Sequence, residues 1–297
     1  DTANNDATAG LNNLQNSATT SDATSTSAIT LDMTSATLDS IIDSTVSLDG
    51  NTTTARATGN SATNALNAAG ANITAGTGAD AAVNLVASTV YASNYVGSVQ
   101  LSTANVTATS TATTTAELAS NTTALEGSTL SLDGNAVAAY ATANMVSNSV
   151  LNMGGEDTAT LDATGAVENY QNTGGIVSAS ATNDVIATFD TFAATTLADA
   201  ALNGSTLSIQ NNSTVAMARG NVASNSLNAS AVNATVGNGL AAINSTTGIT
   251  TASYALVNSQ INNAAINATS DGASYGATLN GAALTSGEPA LASSMLS

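Results

Sequence analysis

The chain of 297 residues contains no cysteine, no histidine and no tryptophan, and its only cationic side chains are Arg56 and Arg219. It therefore lacks the commonest general base, the thiolate nucleophile and the usual ligands of transition metals. Its many serines have no histidine to activate them. The composition predicts that the chain is not an enzyme and has no catalytic, cofactor-binding or metal site.

Pairs of carboxylates are the remaining route to catalysis. A solenoid lyase or glycosidase could use Asp32 with Asp39 or Asp43, or Asp157 with Asp162. Such enzymes also need cations or aromatic platforms to hold a sugar, and this chain has few of either. Calcium is disfavoured as a ligand of the acidic residues because no EF-hand loop and no Gly-Gly-x-Gly-x-Asp repeat is present.

The formal net charge of −18 comes from 20 acidic residues against two arginines. Nucleic acid is excluded as a partner because almost nothing in the chain can neutralise phosphates. An anionic membrane surface is disfavoured for the same reason. Since no run of about 20 apolar residues is present, the chain is not expected to be transmembrane.

Aromatic residues make up only 3% of the chain, with two phenylalanines. The 43% hydrophobic content is mostly alanine with valine, leucine and isoleucine, which favours thin, closely spaced layers over a bulky globular core. Charged residues make up only 7%, which argues against a disordered coil. The bias towards Ala, Thr, Ser, Asn and Gly keeps disorder as an alternative.

One stretch of sequence occurs three times. STVSLDGNTTTARATGNSATNALN begins at Ser44, and related units begin at Ser128 and Ser205. We call these the A-type units. Their small polar stretches, such as Asp49-Gly50-Asn51 and Gly59-Asn60, suit turns, because Gly and Asn tolerate left-handed backbone. We predict that the matched asparagines lie at corners and stack as amide ladders: Asn51, Asn60, Asn64, Asn135, Asn144, Asn148, Asn212, Asn221 and Asn225.

Apolar residues alternate with polar ones inside the A-type units, which is the period of a strand with one buried face. Helical spacing is absent, although an alanine-rich helical array remains an alternative. The predicted core positions are Val46, Leu48, Ala55, Ala57, Leu130, Leu132, Ala139, Ala141, Leu207, Ile209, Ala216 and Ala218.

A second type of unit is marked by Tyr95, Tyr170 and Tyr254, and an opening Ser-Thr triplet recurs at steps near 40 residues. Repetition at such a period is typical of solenoids. The sequence predicts an all-β β-solenoid, a stack like a parallel β-helix, of about seven units of about 40 residues. Each unit is expected to form one wide or two narrow coils, and we favour narrow coils.

Three regions are predicted. Residues 1–43 form a degenerate repeat that can also serve in assembly, with LQNSATTSDATS as its trace. Residues 44–251 form the repetitive solenoid, with A-type units from 44, 128 and 205 and Tyr-marked units from 92 and 167. Residues 252–297 hold a last repeat and a segment around Pro289 that caps the solenoid or is donated to a neighbour.

The phrase LDGNTTTARATGNSATNALN resembles repeats of the curli-like surface proteins of alphaproteobacteria, particularly the holdfast-anchor group. The resemblance covers the A-type units. It implies bacterial origin, export, assembly into an extracellular fibre, and attachment of cells to a surface or an adhesive polysaccharide.

The leading hypothesis is a secreted structural subunit of an extracellular filament or adhesive surface fibre that polymerises end to end, with itself as partner. A surface polysaccharide or an outer-membrane anchor is a further expected partner. The start at Asp1 without methionine suggests a chain from which a signal peptide was removed, or a piece cut at domain limits. The alternatives are an ice-binding solenoid, a carbohydrate-binding solenoid and a surface-layer protein. Threonine runs such as TATSTATTTA from Thr107 suit ice binding, although their spacing does not recur between units.

Overall fold

A computed structural model describes residues 4–5, 9–34, 41–70, 72–74, 81–85, 88–92, 94–120, 125–154, 160–162, 165–191, 202–230, 233–234, 241–245, 248–252, 254–270, 274–281, 291–292 and 295–296. These residues form strands and turns without any helix, which confirms the predicted all-β class. Accordingly, no helix in the described ranges is long and apolar enough to cross a membrane. Pro289, Asp39 and Asp157 lie outside the described residues.

The strands, in chain order, are β1 (Asn4–Asn5), β2 (Ala9–Ser17), β3 (Ser21–Thr34), β4 (Ile41–Ile42), β5 (Thr45–Ser47), β6 (Thr52–Gly70), β7 (Asn72–Thr74), β8 (Ala81–Leu85), β9 (Ser88–Ala92), β10 (Asn94–Ser102), β11 (Val106–Ser120), β12 (Leu125–Glu126), β13 (Thr129–Ser131), β14 (Ala136–Gly154), β15 (Thr160–Asp162), β16 (Gly165–Thr173), β17 (Val177–Thr191), β18 (Leu202–Asn203), β19 (Thr206–Ser208), β20 (Ser213–Ser230), β21 (Asn233–Ala234), β22 (Ala241–Ser245), β23 (Gly248–Ala252), β24 (Tyr254–Asn262), β25 (Ile266–Ser270), β26 (Tyr275–Gly281), β27 (Leu291–Ala292) and β28 (Met295–Leu296).

Three parallel sheets form the body of the molecule. Sheet I contains β2, β10, β16 and β24; sheet II contains β3, β11 and β17, with β25 and β26 both paired to β17; sheet III contains β6, β14 and β20. Three narrow parallel stacks join them: β1, β7, β15 and β21; β4, β12, β18 and β27; and β5, β13, β19 and β28. The chain visits these sheets in the same order on each turn, so the predicted β-solenoid is confirmed.

Each coil is longer than the sequence predicted. Gln15, Gln100, Gln171 and Gln260 are stacked neighbours, and they are separated by 85, 71 and 89 residues. One coil therefore contains one A-type unit and one Tyr-marked unit, and neither of the two predicted coil lengths is correct. The physical reason is the length of the strands, since β6 and β14 each span 19 residues and a turn must include two such layers.

The cross-section is a flat two-layer sandwich, in which sheet III packs against sheet II over one half of its length and against sheet I over the other. Between sheets II and III the core is thin and rich in alanine, and includes Ala55, Ala139 and Val177. The core widens into a cluster of leucines with Phe189 at the turn that contains the stacks of β4 and β5. The thin layer was expected from composition, but the bulkier cluster was not.

The predicted core positions face these two clusters. Those that are buried are Ala55, Ala57, Leu130, Leu132, Ala139, Ala141 and Leu207. Those in the outer coils that are partly buried against the same clusters are Val46, Leu48, Ile209, Ala216 and Ala218.

Two hairpins account for the unequal coil lengths. β8 and β9 are antiparallel, as are β22 and β23, and β9 also pairs with β22. The hairpins lie in the two longer coils, in which successive stacked glutamines are 85 and 89 residues apart. The described part of the 71-residue coil contains no hairpin. The two hairpins thus join across the middle of the solenoid as one four-stranded sheet.

The predicted outer regions continue the same stack. β2 and β3, from the segment 1–43, are in register with β10 and β11. β27 and β28, from the segment predicted as a cap or donated strand, pair with β18 and β19 as ordinary members of the narrow stacks. The described residues at both termini therefore belong to the solenoid.

The tyrosines do not mark equivalent positions. Tyr95 pairs with Ala166, Tyr254 pairs with Gly165, and Tyr170 lies four residues further along its strand, opposite Val99. Alignment by tyrosine was therefore wrong in register. One physical role is shared by two of them: Tyr95 lies over Gly10 and Tyr254 over Gly165, where a Cβ atom would collide with the ring.

Candidate functional site

A column of stacked amides runs inside sheet III. Asn60 Nδ2 donates to Asn144 Oδ1 over 2.7 Å, and Asn144 Nδ2 donates to Asn221 Oδ1 over 2.8 Å. Asn144 is completely buried. Because each amide supplies a partner for the next, the column offsets much of the cost of burying polar groups.

A second column lies four residues further along the same strands. Asn64 donates to Asn148 and Asn148 donates to Asn225, each over 2.8 Å. Asn13 of sheet I donates to Asn64 Oδ1 over 2.8 Å, which links the two sheets. Both columns lie within strands, so the prediction that these six asparagines occupy corners was wrong.

The third set of asparagines does lie at a corner, just before sheet III. Asn51 Nδ2 donates to Asn135 Oδ1, and the Asn135 backbone N–H donates to Asn212 Oδ1, both over 2.8 Å. The preceding residues Gly50 and Gly134 have φ values of 69° and 68°. This left-handed backbone explains the Asp-Gly-Asn sequence of the turn.

A glutamine column in sheet I was missed by the sequence analysis. Gln100 Nε2 donates to Gln15 Oε1, Gln171 Nε2 to Gln100 Oε1, and Gln260 Nε2 to Gln171 Oε1, over 2.6–2.8 Å. The signal was present, because these are four of the five glutamines in the chain. Their spacing would also have predicted the true coil length.

The amide columns bond across the thin core. Gln100 donates to the Met145 carbonyl of sheet III over 2.9 Å, and Gln171 donates to the Val222 carbonyl over 3.0 Å. In return, Asn60 donates to the Leu101 carbonyl of sheet I over 2.8 Å. The two layers are thus held together by hydrogen bonds as well as by apolar contact.

The acidic corner is structural. Asp49 Oδ1 accepts bonds from the Ser131 hydroxyl and the Asp133 backbone N–H, both 2.7 Å long. Partial burial acts to raise the pKa of Asp49, but hydrogen bonds from Ser47, Asp133 and Ser131 hold it below its ordinary value. Groups of three or more potential metal ligands are absent from the described residues.

Glu168 is a buried carboxyl on the outer side of sheet I, with 2% of its surface exposed. Strands β9 and β22 lie against its strand, β16, on this side. Desolvation raises the pKa of the carboxyl to about 7. The folded state therefore holds this proton more tightly than the unfolded chain, whose glutamates ionise near pH 4.3.

We expect the Glu168→Gln variant to be about 3 kcal/mol more stable than the wild type at about pH 8, and equally stable at about pH 4. In the wild type the contribution is complete below the unfolded pKa and is lost as the pH rises to about 7, whereas glutamine stays neutral. Denaturant unfolding of both proteins at the two pH values measures the difference. Glu126→Gln, at an exposed site, is the control. A difference between wild type and Glu168→Gln that does not change with pH would contradict this.

Both ends of the solenoid present strands that are paired on one side only within the described residues. At the N-terminal end these are β2, β3 and β6. At the C-terminal end they are β20, β24, β25 and β26. Unpaired strand edges are templates for pairing with another chain.

The side chains at the two ends match by register. Through the intermediate coils, Leu11 aligns with Leu256, Asn13 with Asn258 and Gln15 with Gln260. A second copy placed with its β2 against β24 would therefore continue the glutamine column of sheet I and bring Asn13 beside Asn258.

The outer face of sheet II carries a hydroxyl array. Thr24, Thr109 and Ser180 are aligned across three coils, and so are Thr26, Thr111 and Thr182. Residues in such an array are separated by roughly 7 Å along a strand and roughly 4.8 Å between strands. The expectation that threonine spacing is not kept between units was wrong for this face.

The chain matches no model of a known protein family, and neither a curated protein nor a solved structure is found to be similar to it. The functional conclusions therefore depend on the residues and geometry described above.

Proposed function

We propose that this chain is the structural subunit of a secreted extracellular filament or adhesive fibre, and that it polymerises end to end. The observation that supports this most directly is the match between the two ends, where unpaired strands present the same columns of leucine, asparagine and glutamine. In this arrangement β2 of one copy pairs in parallel with β24 of the next, and β3 pairs with β25 and β26.

The contact is heterologous, because it joins one end of a molecule to the other end of its neighbour. Contacts of this kind do not close on themselves unless a rotation forms a ring, so they generate filaments. Leu256, at the C-terminal end, is 44% exposed, whereas its equivalents Val96 and Val167 are fully buried. Stacking would pair the free strand edges and place Leu11 of the next copy beside Leu256.

The net charge of −18 opposes association, since every copy repels its neighbours. Salt screens such repulsion between exposed charges. Filament growth should therefore be faster at high ionic strength. The resemblance of the A-type units to curli-like repeats supports an extracellular setting and attachment to a polysaccharide or an outer-membrane anchor.

Two end variants test the proposal. Leu11→Asp blocks the N-terminal end and Leu256→Asp blocks the C-terminal end, because each would place a carboxylate at an apolar position of the contact. Circular dichroism checks that each variant is folded, since Leu11 also packs on the valine cluster of its own molecule. We expect the wild type to form filaments in concentrated, salt-containing solution and each variant to remain monomeric. When mixed, the variants should form dimers and nothing longer, since one intact end remains on each.

Met145→Asp is the matched control, because Met145 is 41% exposed on the middle coil, away from both ends. It should polymerise like the wild type. Negative-stain microscopy and sedimentation velocity measure the outcome. A wild type that stays monodisperse under all conditions would refute end-to-end polymerisation.

The hydroxyl array on sheet II favours a second candidate function, binding of ice or of a carbohydrate by a flat face. This candidate predicts thermal hysteresis or glycan binding by the monomeric Leu11→Asp protein. Either activity should be lost when Thr111, at the centre of the array, is replaced by lysine.

A further inference from the structure

Two hairpins meet on the outer side of sheet I. One hairpin consists of β8 and β9 and precedes β10, and the other consists of β22 and β23 and precedes β24. The coil between them, which contains β16, has no hairpin in its described part. The two hairpins converge over that coil, where β9 pairs with β22 and both strands contact β16. We call this four-stranded sheet the brace.

Glu168 lies beneath the brace. Val167 and Gln171 of the same strand point towards sheet III, since Val167 packs with Val150 and Gln171 donates to the Val222 carbonyl. Because side chains alternate along a strand, Glu168 points to the opposite, outer side. It is nevertheless only 2% exposed. The contacts of β9 and β22 with β16 supply the cover on that side.

A comparison with sheet II shows what the brace changes. In the coils that contain β10 and β16, the outward-facing residues Thr111 and Thr182 of sheet II are partly exposed. In sheet I of the same coils, the outward-facing Val99 and Ala166 have at most 1% of their surface exposed. The brace therefore removes from water a strip of sheet I that contains apolar side chains and one carboxyl.

None of the described strands that cover or flank Glu168 contains a cationic side chain. Both arginines belong to sheet III, in the other layer. Apart from Glu168 itself, the titratable residues on these strands are tyrosines, which are neutral near pH 7: Tyr91, Tyr95, Tyr170 and Tyr254. Ionisation of Glu168 under the closed brace would therefore place a negative charge in a region of low polarity, which is costly.

We propose that the brace is a pH-sensitive cover of sheet I, and that its opening is coupled to release of the proton that Glu168 holds when covered. While the brace is closed, desolvation raises the pKa of this carboxyl to about 7. When the brace opens, water reaches the carboxyl and its pKa returns to about 4.3. The closed form therefore has its full stability below about pH 4 and loses it as the pH rises to about 7.

This inference goes beyond the filament and does not require it, because every group that it uses lies within one molecule. A single proton released on opening makes the opening equilibrium rise about tenfold per pH unit between the two pKa values. Between about pH 5 and about pH 8 the increase is roughly 50-fold. Opening also exposes the apolar strip that contains Val99 and Ala166.

Hydrogen exchange of backbone amides, followed by mass spectrometry, measures the opening. In the wild type, the protection factors of β9 and β22, corrected for intrinsic exchange, should fall roughly 50-fold from about pH 5 to about pH 8. In Glu168→Gln, whose side chain stays neutral, they should not change over this range. Glu126→Gln removes an exposed carboxyl outside the brace and should behave like the wild type.

Strand β14 of sheet III is the internal reference, because it lies in the layer that the brace does not cover. At about pH 8 we expect the protection factors of β9 and β22 to be at least about tenfold lower than those of β14. Equal protection of the brace and β14 at every pH would mean that the proton is linked to unfolding of the whole solenoid, and the inference would be wrong. Protection of the wild-type brace that is independent of pH would also overturn it, as would the same pH dependence in Glu168→Gln. The wild-type measurements decide the matter even if the variant does not fold.

Discussion

Replacing Asn144 by leucine is expected to lower the free energy of unfolding by about 3–5 kcal/mol. Asn144 accepts a hydrogen bond from Asn60 and donates to Asn221, to the Asn172 carbonyl and to the Thr173 hydroxyl. The leucine would remove the column bonds of Asn60 and Asn221, which keep only their bonds to the Leu101 carbonyl and to the Thr173 hydroxyl and Ile261 carbonyl. The Asn172 carbonyl and the Thr173 hydroxyl would also lose a donor, and each unsatisfied buried group costs about 1–3 kcal/mol.

Asn67→Leu is the matched control, because Asn67 is exposed on β6 and should tolerate the change within about 0.5 kcal/mol. Guanidinium unfolding followed by circular dichroism measures both. Asn144 lies in the second coil and bonds to the coils on both sides, so its replacement should also lower the cooperativity of unfolding between adjacent coils. Equal losses for the two variants would mean that the buried column contributes nothing specific.

The strands and the solenoid were predictable because the alternation of residues such as Val46 and Leu48 has only one regular explanation. The coil length was not predictable, because the 40-residue period was obtained from Ser-Thr triplets that lie in different parts of the fold. Ser88 and Ser245, which share the Ser-Thr triplet with Ser44, lie in the hairpin strands β9 and β22 and pair with each other. Their triplets therefore do not open coils of the stack.

The asparagines were placed at corners because small polar stretches such as Gly59-Asn60 suit turns. In β14 two consecutive residues, Ala143 and Asn144, are both buried, and in β6 the irregularity includes Gly59. In a sequence, such a break in the alternation of buried and exposed residues resembles a turn. In the structure the strand instead continues from the half that faces sheet II to the half that faces sheet I, and the amides stack inside.

The placement of the C-terminal segment could not be predicted from sequence, because it depends on the coil length and on the pairing of Leu291 with Leu202 and of Met295 with Thr206. The sequence around these residues predicted a cap or a donated strand. Their three-dimensional placement shows instead that both segments are ordinary members of the narrow stacks.

Replacing Phe189 by alanine is expected to lower the free energy of unfolding by about 3–5 kcal/mol. Among the described residues, Phe189 is the largest side chain that is fully buried. It packs in the cluster with Leu125 and Leu202, where the thin alanine layer widens. Truncation would leave a cavity in this bulky part of the core, and the surrounding parallel strands cannot easily close it.

Phe189→Leu separates loss of volume from loss of the aromatic ring. The preceding coil has the buried Leu118 at the aligned position, so a leucine fits the stack and should cost less than about 1.5 kcal/mol. Ile176→Ala, at a site that is 46% exposed, is expected to change stability by no more than about 0.5 kcal/mol. Thermal or denaturant unfolding ranks the three. If Phe189→Ala costs no more than Ile176→Ala, the leucine cluster is not a packed core, and the stability of the solenoid must come from its backbone ladders and amide columns alone.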